Sequence, residues 1–362
     1  MPVKWRKEWV SDETFESAGV FDVNNDGVLD IVSGGFWYQG PDFQKKHAIG
    51  AVAKYGEYYD DFSTIAMDVN GDGFTDFITG GWWGGNLRWR ENPQGDPKKE
   101  WPEHIIAQVG NVETTRAWDI DGDGQLEIVP NTPITRDVKV FKLTSPGVFE
   151  CHTIYTFPEG QTQGHGLGAG DIAGNGRMDI VLSKGWLEAP ADPWKGEWIW
   201  HPDFTDAPWA GSSVPMLVVD VNGDGKNEII TGNGHAYGLW WSERKDGKWI
   251  HHPIDPFCSQ YHDMMWIDID GDGQMELVTG KRHRAHCGND IGERDPLGIY
   301  YFKWTGEGFS KVIVDYGPIG VGQGLGIHFA VADLRGTGRL DIIAPGKEGL
   351  FIYYNEGEYP KT

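Results

Sequence analysis

The twelve histidines are the residues of this 362-residue chain best suited to chemistry near neutral pH. Imidazole titrates in that range and also ligates borderline metals such as zinc. The twelve fall into two sets. His47, His104, His152, His201, His251 and His252 recur with a regular pattern, in the segments KKHAI, PEHII, ECHTI, IWHPD and HHPI. Such recurrence points to packing. His165, His235, His262, His283, His286 and His328 do not follow the pattern. Off-repeat imidazoles that converge on one place are what a metal or acid–base site requires. His165, His235 and His262 are the expected ligands of zinc or a similar divalent ion, as a facial triad.

The neighbouring stretches supply other chemistry. Tyr58, Tyr59, Asp60 and Asp61 lie together, Arg116 precedes an acidic loop, and Trp37, Trp82, Trp83 and Trp186 stand in Gly-rich segments. Flat aromatic faces beside carboxylates and Arg suit a sugar ring, which stacks through its C–H face and hydrogen-bonds through its hydroxyls. The expected roles are His328 or Tyr59 as base, with His283 and Arg116 in the catalytic set. Trp186, Trp82 and His286 are expected to contact substrate, with Arg116 and Trp186 positioning it. Cys287 beside His286 is a further candidate soft ligand.

What must position these residues is a repeat. DVNNDGVLDIVSGG, beginning at Asp22, returns from Asp68, Asp119, Asp220 and Asp268, and in weaker form from Asp171 and Asp333. Seven units of about 50 residues, each with several strands, imply a solenoid or propeller. Each unit reads as a short apolar strand, an acidic turn, a second strand, an aromatic third strand (NLRWREN, GLWWSER, IYYFKW, LFIYYNEG) and a fourth strand. The expectation is an all-β, seven-bladed β-propeller of four-stranded blades occupying residues 1–362 as one domain. The last unit runs out after its third strand, so residues 3–10 are expected to complete the last blade. The acidic turns then share one face. The links between blades, and between second and third strands, share the other, with all six off-repeat histidines.

Five acidic turns place oxygen side chains at positions 1, 3, 5 and 9. They are Asp22/Asn24/Asp26/Asp30, Asp68/Asn70/Asp72/Asp76, Asp119/Asp121/Asp123/Glu127, Asp220/Asn222/Asp224/Glu228 and Asp268/Asp270/Asp272/Glu276. Hard cations want several oxygens from a tight loop, so about five structural Ca2+ (or Mg2+) ions are expected. The strands on both sides exclude a helix-flanked EF-hand. The turns from Asp171 and Asp333 lack ligands, and Arg177 and Arg339 are expected to put a guanidinium in place of the cation.

Composition narrows the function. A net charge of −23 argues against nucleic acid, which needs a basic footprint. Five bound dications would bring it to about −13. Three cysteines make no disulfide framework. No apolar run is long enough to span a membrane. The opening MPVKWRKEWV has no apolar signal core. A cytoplasmic location is therefore expected, with a periplasmic or secreted protein that has lost its leader as the alternative. Oligomeric state is not legible.

The acidic repeats resemble the FG-GAP/VCBS β-propeller families across essentially the whole chain. GHGLGAGD, GWLEAPADPWKGEWIWHPDF and YHDMMWIDIDGDG further resemble the propeller domain of aldos-2-ulose dehydratases. That second resemblance implies a zinc-containing cleft and removal of water from keto-sugars such as 1,5-anhydrofructose. It touches His165, Trp186 and His262 alone among the site residues. The chain lacks room for that family's cupin domains, so a second isomerisation step is not implied. The expected function is a carbon–oxygen lyase on a small keto-sugar or keto-glycoside. The alternatives are a sugar-binding module without catalysis and a polysaccharide lyase of the ulvan-lyase type.

Overall fold

Each acidic turn reverses the chain, so its flanking strands pair antiparallel: Phe21 faces Asp30, Met67 faces Asp76 and Trp118 faces Glu127. In the computed structural model, which describes residues 3–358, this unit repeats into seven four-stranded sheets. The innermost strands of blades 1 to 7 are Gly19–Phe21, Ile65–Met67, Thr114–Trp118, Leu167–Gly170, Leu217–Val219, Tyr261–Ile267 and Ala330–Ala332. Six blades use four consecutive strands. The seventh ends on Leu350–Glu358 and takes Val3–Ser11 as its outer strand, in register from Val3 opposite Glu358 to Ser11 opposite Leu350. The ring is thus closed by the two ends of the chain, and a sheet edge that would otherwise invite pairing is covered.

Blades pack through apolar clusters. One joins Val129, Val138 and Val140 of the third blade to Leu167, Ile180 and Leu187 of the fourth. The recurrent histidines have a defined place in this packing. In four blades a third-strand Trp lies directly opposite a fourth-strand His: Trp37/His47, Trp89/His104, Trp186/His201 and Trp241/His252. The rings stack at 4.1–4.5 Å. The residue two after the Trp takes the imidazole Nε2: Glu91 at 2.7 Å, Glu188 at 3.0 Å, Glu243 at 2.9 Å and Gln39 at 3.4 Å. His152 instead packs at a tilt against Trp194, with ring centroids 4.4 Å apart.

The acidic turns are cross-braced more than their spacing implies. Asp30 is fully buried, and its two oxygens accept the N–H groups of Val23 and Gly40 at 2.9 and 2.8 Å. Asp76 does the same with Val69 and Asn92. Position 9 therefore ties the turn to the end of the third strand. In blades 3 and 6 a lysine from the third strand enters the turn. Lys142 binds Asp121, Asp123 at 2.7 Å and Glu127 at 3.1 Å, and Lys303 repeats this on Asp270, Asp272 and Glu276. These two turns carry Asp at position 3, where the turns from Asp22, Asp68 and Asp220 carry Asn. An ammonium thus meets the extra carboxylate.

The five turns therefore differ in how their carboxylates are arranged and bonded. Asp119, Asp121 and Glu127, and likewise Asp268, Asp270, Asp272 and Glu276, bring oxygens within 4.8 Å of one another. Among the described residues, the carboxylates of the other three turns do not gather in this way. Their expected ligands bond within the turn instead. Asn24 donates its amide to Asp26 at 3.0 Å, and the second Asp26 oxygen accepts the Val28 N–H at 2.9 Å. Asn222 donates to Glu228 at 3.2 Å, and Asp224 accepts the Lys226 N–H at 2.9 Å. Asn70 accepts the Asp72 N–H at 3.0 Å, while Asp72 accepts from Phe74 at 3.0 Å and Gln94 at 3.4 Å. The physical reason lies at position 3. An amide carries its own N–H donors, so Asn24 and Asn222 satisfy a carboxylate that would otherwise need an outside cation.

The ligand-poor turns differ from the expected arrangement at Arg177. Arg177 turns outward to donate to the Ala189 carbonyl at 2.8 Å. In blade 7 it is Arg335, at position 3, that enters the turn. It donates to Asp341 at 3.1 Å, to the Asn355 carbonyl at 2.8 Å and to Glu356 at 3.1 Å. Position 3 lies opposite the bracing carboxylate, whereas position 7 already leads away into the second strand.

Candidate functional site

The residues six positions before the acidic turns form a ring at the end of the channel opposite those turns. They are Glu16, Phe62, Glu113, His165, Val214, His262 and Ile327. Second-to-third-strand links add His235 and the long segment 282–296 to the same end. His165, His235, His262 and Glu113 bring one ligand atom each within 4.8 Å of one another. The expected triad is therefore assembled, and Glu113 is a fourth member that the sequence reading missed. Its signal was present: Glu113, His165 and His262 stand at the same offset from their turns.

The donor geometry fits a divalent ion. His165 donates Nδ1–H to the Ser212 carbonyl at 2.7 Å, and His235 donates Nδ1–H to Asp290 at 3.1 Å. Each partner fixes the tautomer that leaves Nε2 as a lone pair, the arrangement metal-ligating histidines use. Those two Nε2 atoms face one another at 3.0 Å. His262 Nε2 and His165 Nε2 approach the same Glu113 oxygen at 3.1 and 3.3 Å. Three imidazoles and one carboxylate are the donor set of a zinc-type site.

Burial disfavours the charged forms of His235 and His262, while the Glu113 carboxylate beside them is held charged. Burial alone would raise the Glu113 carboxyl, but His165 and His262 outweigh it and hold it well below the usual range. Burial, aided by the Arg282 charge, pushes His262 well down. Burial brings His235 down to about 4 against the pull of Asp290. Arg282 is itself buried, paired with Glu16 at 2.9 Å and reaching Glu113 at 3.6 Å.

Beside the cluster lies a cavity of about 200 Å³. It is lined by the aromatic rings of Tyr58, Phe62, Trp82 and Trp83 and by the polar side chains of Glu113, Arg282 and His286. His286 stacks on His235 at 3.8 Å and shares Asp290 with it, through Nδ1 at 2.9 Å. Segment 282–296 forms a wall, held by Tyr58 donating to the Ala285 carbonyl at 2.7 Å and by Arg284 pairing with Glu57 at 2.8 Å.

Of the other expected site residues, Trp82 and His286 line this cavity and the rest stand elsewhere. Trp186 is 2% exposed, stacked on His201 inside the fourth blade and donating to Asp203. Tyr59 packs on Phe15 at 4.2 Å, and its neighbour Tyr58 faces the cavity. Arg116 is buried in the channel, paired with Asp263 at 2.6 Å and donating to the Val214 and Ile327 carbonyls. It ties innermost segments of four blades together. His328 lies near it and approaches the Ala18 carbonyl at 3.3 Å. His283 pairs with Glu348. Cys287 has Lys347 at 3.7 Å. Sequence spacing located the rim, but side-chain direction decided which members face the cavity.

The fold is a seven-bladed β-propeller, and the model of the FG-GAP-like repeat family matches residues 68–129 and 220–279. No curated protein sequence matches the chain. Among solved structures, the rhamnogalacturonan lyase YesW is similar over 99% of this chain and 76% of its own, with 13% identity and a TM-score of 0.50. BBS1N, solved in complex with ARL6DN, is similar over 100% of this chain and 99% of its own, with 8% identity and a TM-score of 0.55. Identities this low establish a shared fold alone, and fold does not fix function. They carry no likeness to aldos-2-ulose dehydratases in particular.

Proposed function

We propose that the protein is a carbon–oxygen lyase that acts on a small keto-sugar or keto-glycoside by β-elimination. The observation that carries this reading is the junction of a three-His, one-Glu cluster with a cavity lined by both aromatic rings and polar side chains. His165, His235, His262 and Glu113 would hold zinc or a similar divalent ion, whose Lewis acidity toward a ketone oxygen makes the neighbouring C–H more acidic.

The chain's own residues supply the rest. Trp82, Trp83 and Tyr58 offer faces for the sugar's C–H surface, and Arg282 offers donors in the same cavity. His286 replaces His328 and Tyr59 as the base. Its Nδ1–H is held by Asp290, so Nε2 is free to take the proton, and Asp290 steadies the resulting cation. The returning proton goes to the leaving oxygen. One C–H and one C–O bond break, a C=C bond forms beside the ketone, and water or an alcohol departs.

A cavity of about 200 Å³ is smaller than the roughly 300–1,000 Å³ of ordinary ligand pockets. It suits one sugar ring rather than a polymer. The net charge of −23 also disfavours a polyuronate chain. Both weigh against the polysaccharide-lyase alternative.

The test is enone absorbance from 1,5-anhydrofructose and 3-keto-glucosides, with and without chelator. Enone growth that chelator stops, and that Glu113→Gln and His286→Gln each slow at least a hundredfold, is the expected result. Metal-loaded protein that binds these sugars yet forms no enone overturns elimination in favour of a binding module.

A further inference from the structure

The aromatic lining continues beyond the cavity. Trp83 lines it and also stacks, at 4.7 Å and 10° between planes, on Tyr55 from the small hairpin Lys54–Tyr55/Tyr58–Tyr59. Both rings are well exposed, Trp83 at 39% and Tyr55 at 41%. Large rings left in water are ordinary when scattered singly, but a stacked pair at a pocket mouth asks for an occupant.

Trp83 is also held in place by its surroundings. Buried Asp60 accepts the N–H groups of Trp83 and Gly84, both at 2.9 Å. Asn111 donates to the Trp82 carbonyl at 2.8 Å. Tyr58 and Phe62 brace the Trp83 ring at 5.2 and 6.1 Å. The flanking glycines of GGWWGG permit this, since a Cβ at Gly81 would stand 2.3 Å from the Asp60 carboxylate. Such bracing lowers the ordering cost that binding would otherwise meet.

Resting on the elimination reading, we infer that Trp83 and Tyr55 form a second subsite, for a ring-shaped leaving group. The cavity takes one sugar ring, and the stacked pair at its mouth takes the flat ring joined to it. The substrate class is therefore a keto-glycoside with an aromatic or second-sugar aglycone, and the departing group is an alcohol or phenol rather than water.

Binding without turnover tests this. Methyl β-glucoside, phenyl β-glucoside and cellobiose are titrated against the full protein by calorimetry. The ring-bearing ligands are expected to bind at least tenfold tighter than the methyl glycoside, and comparison of the two separates an aromatic from a sugar partner. Trp83→Ala should erase the difference, Tyr55→Ala should reduce it, and Trp83→Phe should keep most of it, with cooperative melting confirming that each variant folds. Equal affinity for all three probes, binding of none, or a preference that survives Trp83→Ala overturns the subsite. Enone formation without ring preference removes the subsite and leaves elimination standing. Ring preference without enone does the reverse.

Discussion

His165 and His235 present their Nε2 atoms to each other at 3.0 Å while each ring's Nδ1 is engaged elsewhere, by the Ser212 carbonyl and by Asp290. Two lone pairs at that distance repel unless a proton or a cation lies between them. Burial lowers the proton affinity of His235, so a cation is the better occupant.

Zinc added to metal-stripped protein is therefore expected to bind at about one equivalent in this cluster. Elemental analysis after dialysis should show that equivalent lost in His165→Ala, His235→Ala and His262→Ala, and weakened roughly 10–100-fold in Asp290→Ala, which removes an outer partner. Full zinc retention in His235→Ala would contradict the assignment.

Lys142 and Lys303 fill the acidic turns of blades 3 and 6 with an ammonium. Calcium titration should then count at most three turns, those from Asp22, Asp68 and Asp220, rather than five. Binding there requires Asn24 and Asn222 to give up their amide bonds to Asp26 and Glu228. Lys142→Met and Lys303→Met should each add one site, and each should cost about 2 kcal/mol without calcium by leaving buried or half-buried carboxylates unpaired. Thermal melts with and without calcium check both effects. Five sites in the unaltered protein would show that the lysines give way.

Trp186 separates packing from catalysis. Its stack on His201 and its burial predict that Trp186→Ala lowers stability by about 3–5 kcal/mol. Zinc content and turnover per folded molecule should not change. A variant that melts normally but loses turnover would return Trp186 to the substrate path expected from the sequence.

His328 gives a pH signature. Burial and the Arg116 charge bring it down to about 3. Between that value and the ordinary histidine value near 6.5, the unfolded chain holds the proton more tightly. Stability from this group therefore rises with pH across the window and is complete above it. Asp263, raised by burial to about 6 despite Arg116, acts in the opposite sense between about 4 and 6. Melting temperatures of His328→Gln should consequently fall less on acidification than those of the unaltered protein. Parallel curves would show that His328 takes up its proton as readily in the fold as in the unfolded chain.

Ring closure makes the last prediction. Removing residues 1–11 uncovers Leu350–Glu358 as a free edge. Loss of cooperative melting and concentration-dependent association by light scattering are expected. A monomer that melts as before would mean that the outer strand is dispensable.

The sequence by itself determined the propeller, because its signals are local and repeated. Each acidic turn and alternating strand is set by residues within one unit, and seven copies, five strong and two weaker, reinforce the reading. The convergence of His165, His235 and His262 was also legible, since the offset from a turn fixes which end of the channel a residue occupies. What only the tertiary structure decided was how different blades meet. Glu113 reaches His262 across 149 positions of sequence, and Asp290 serves His235 and His286 only because the long segment folds back over the rim. Tyr58 rather than Tyr59 faces the cavity, since successive residues of a strand point to opposite sides. Lys142 reaches its turn by strand register, a pairing of distant positions that spacing along one strand does not contain. Periodicity fixes where a backbone goes; the direction of each side chain, and its partner from another blade, follows only once the ring has closed.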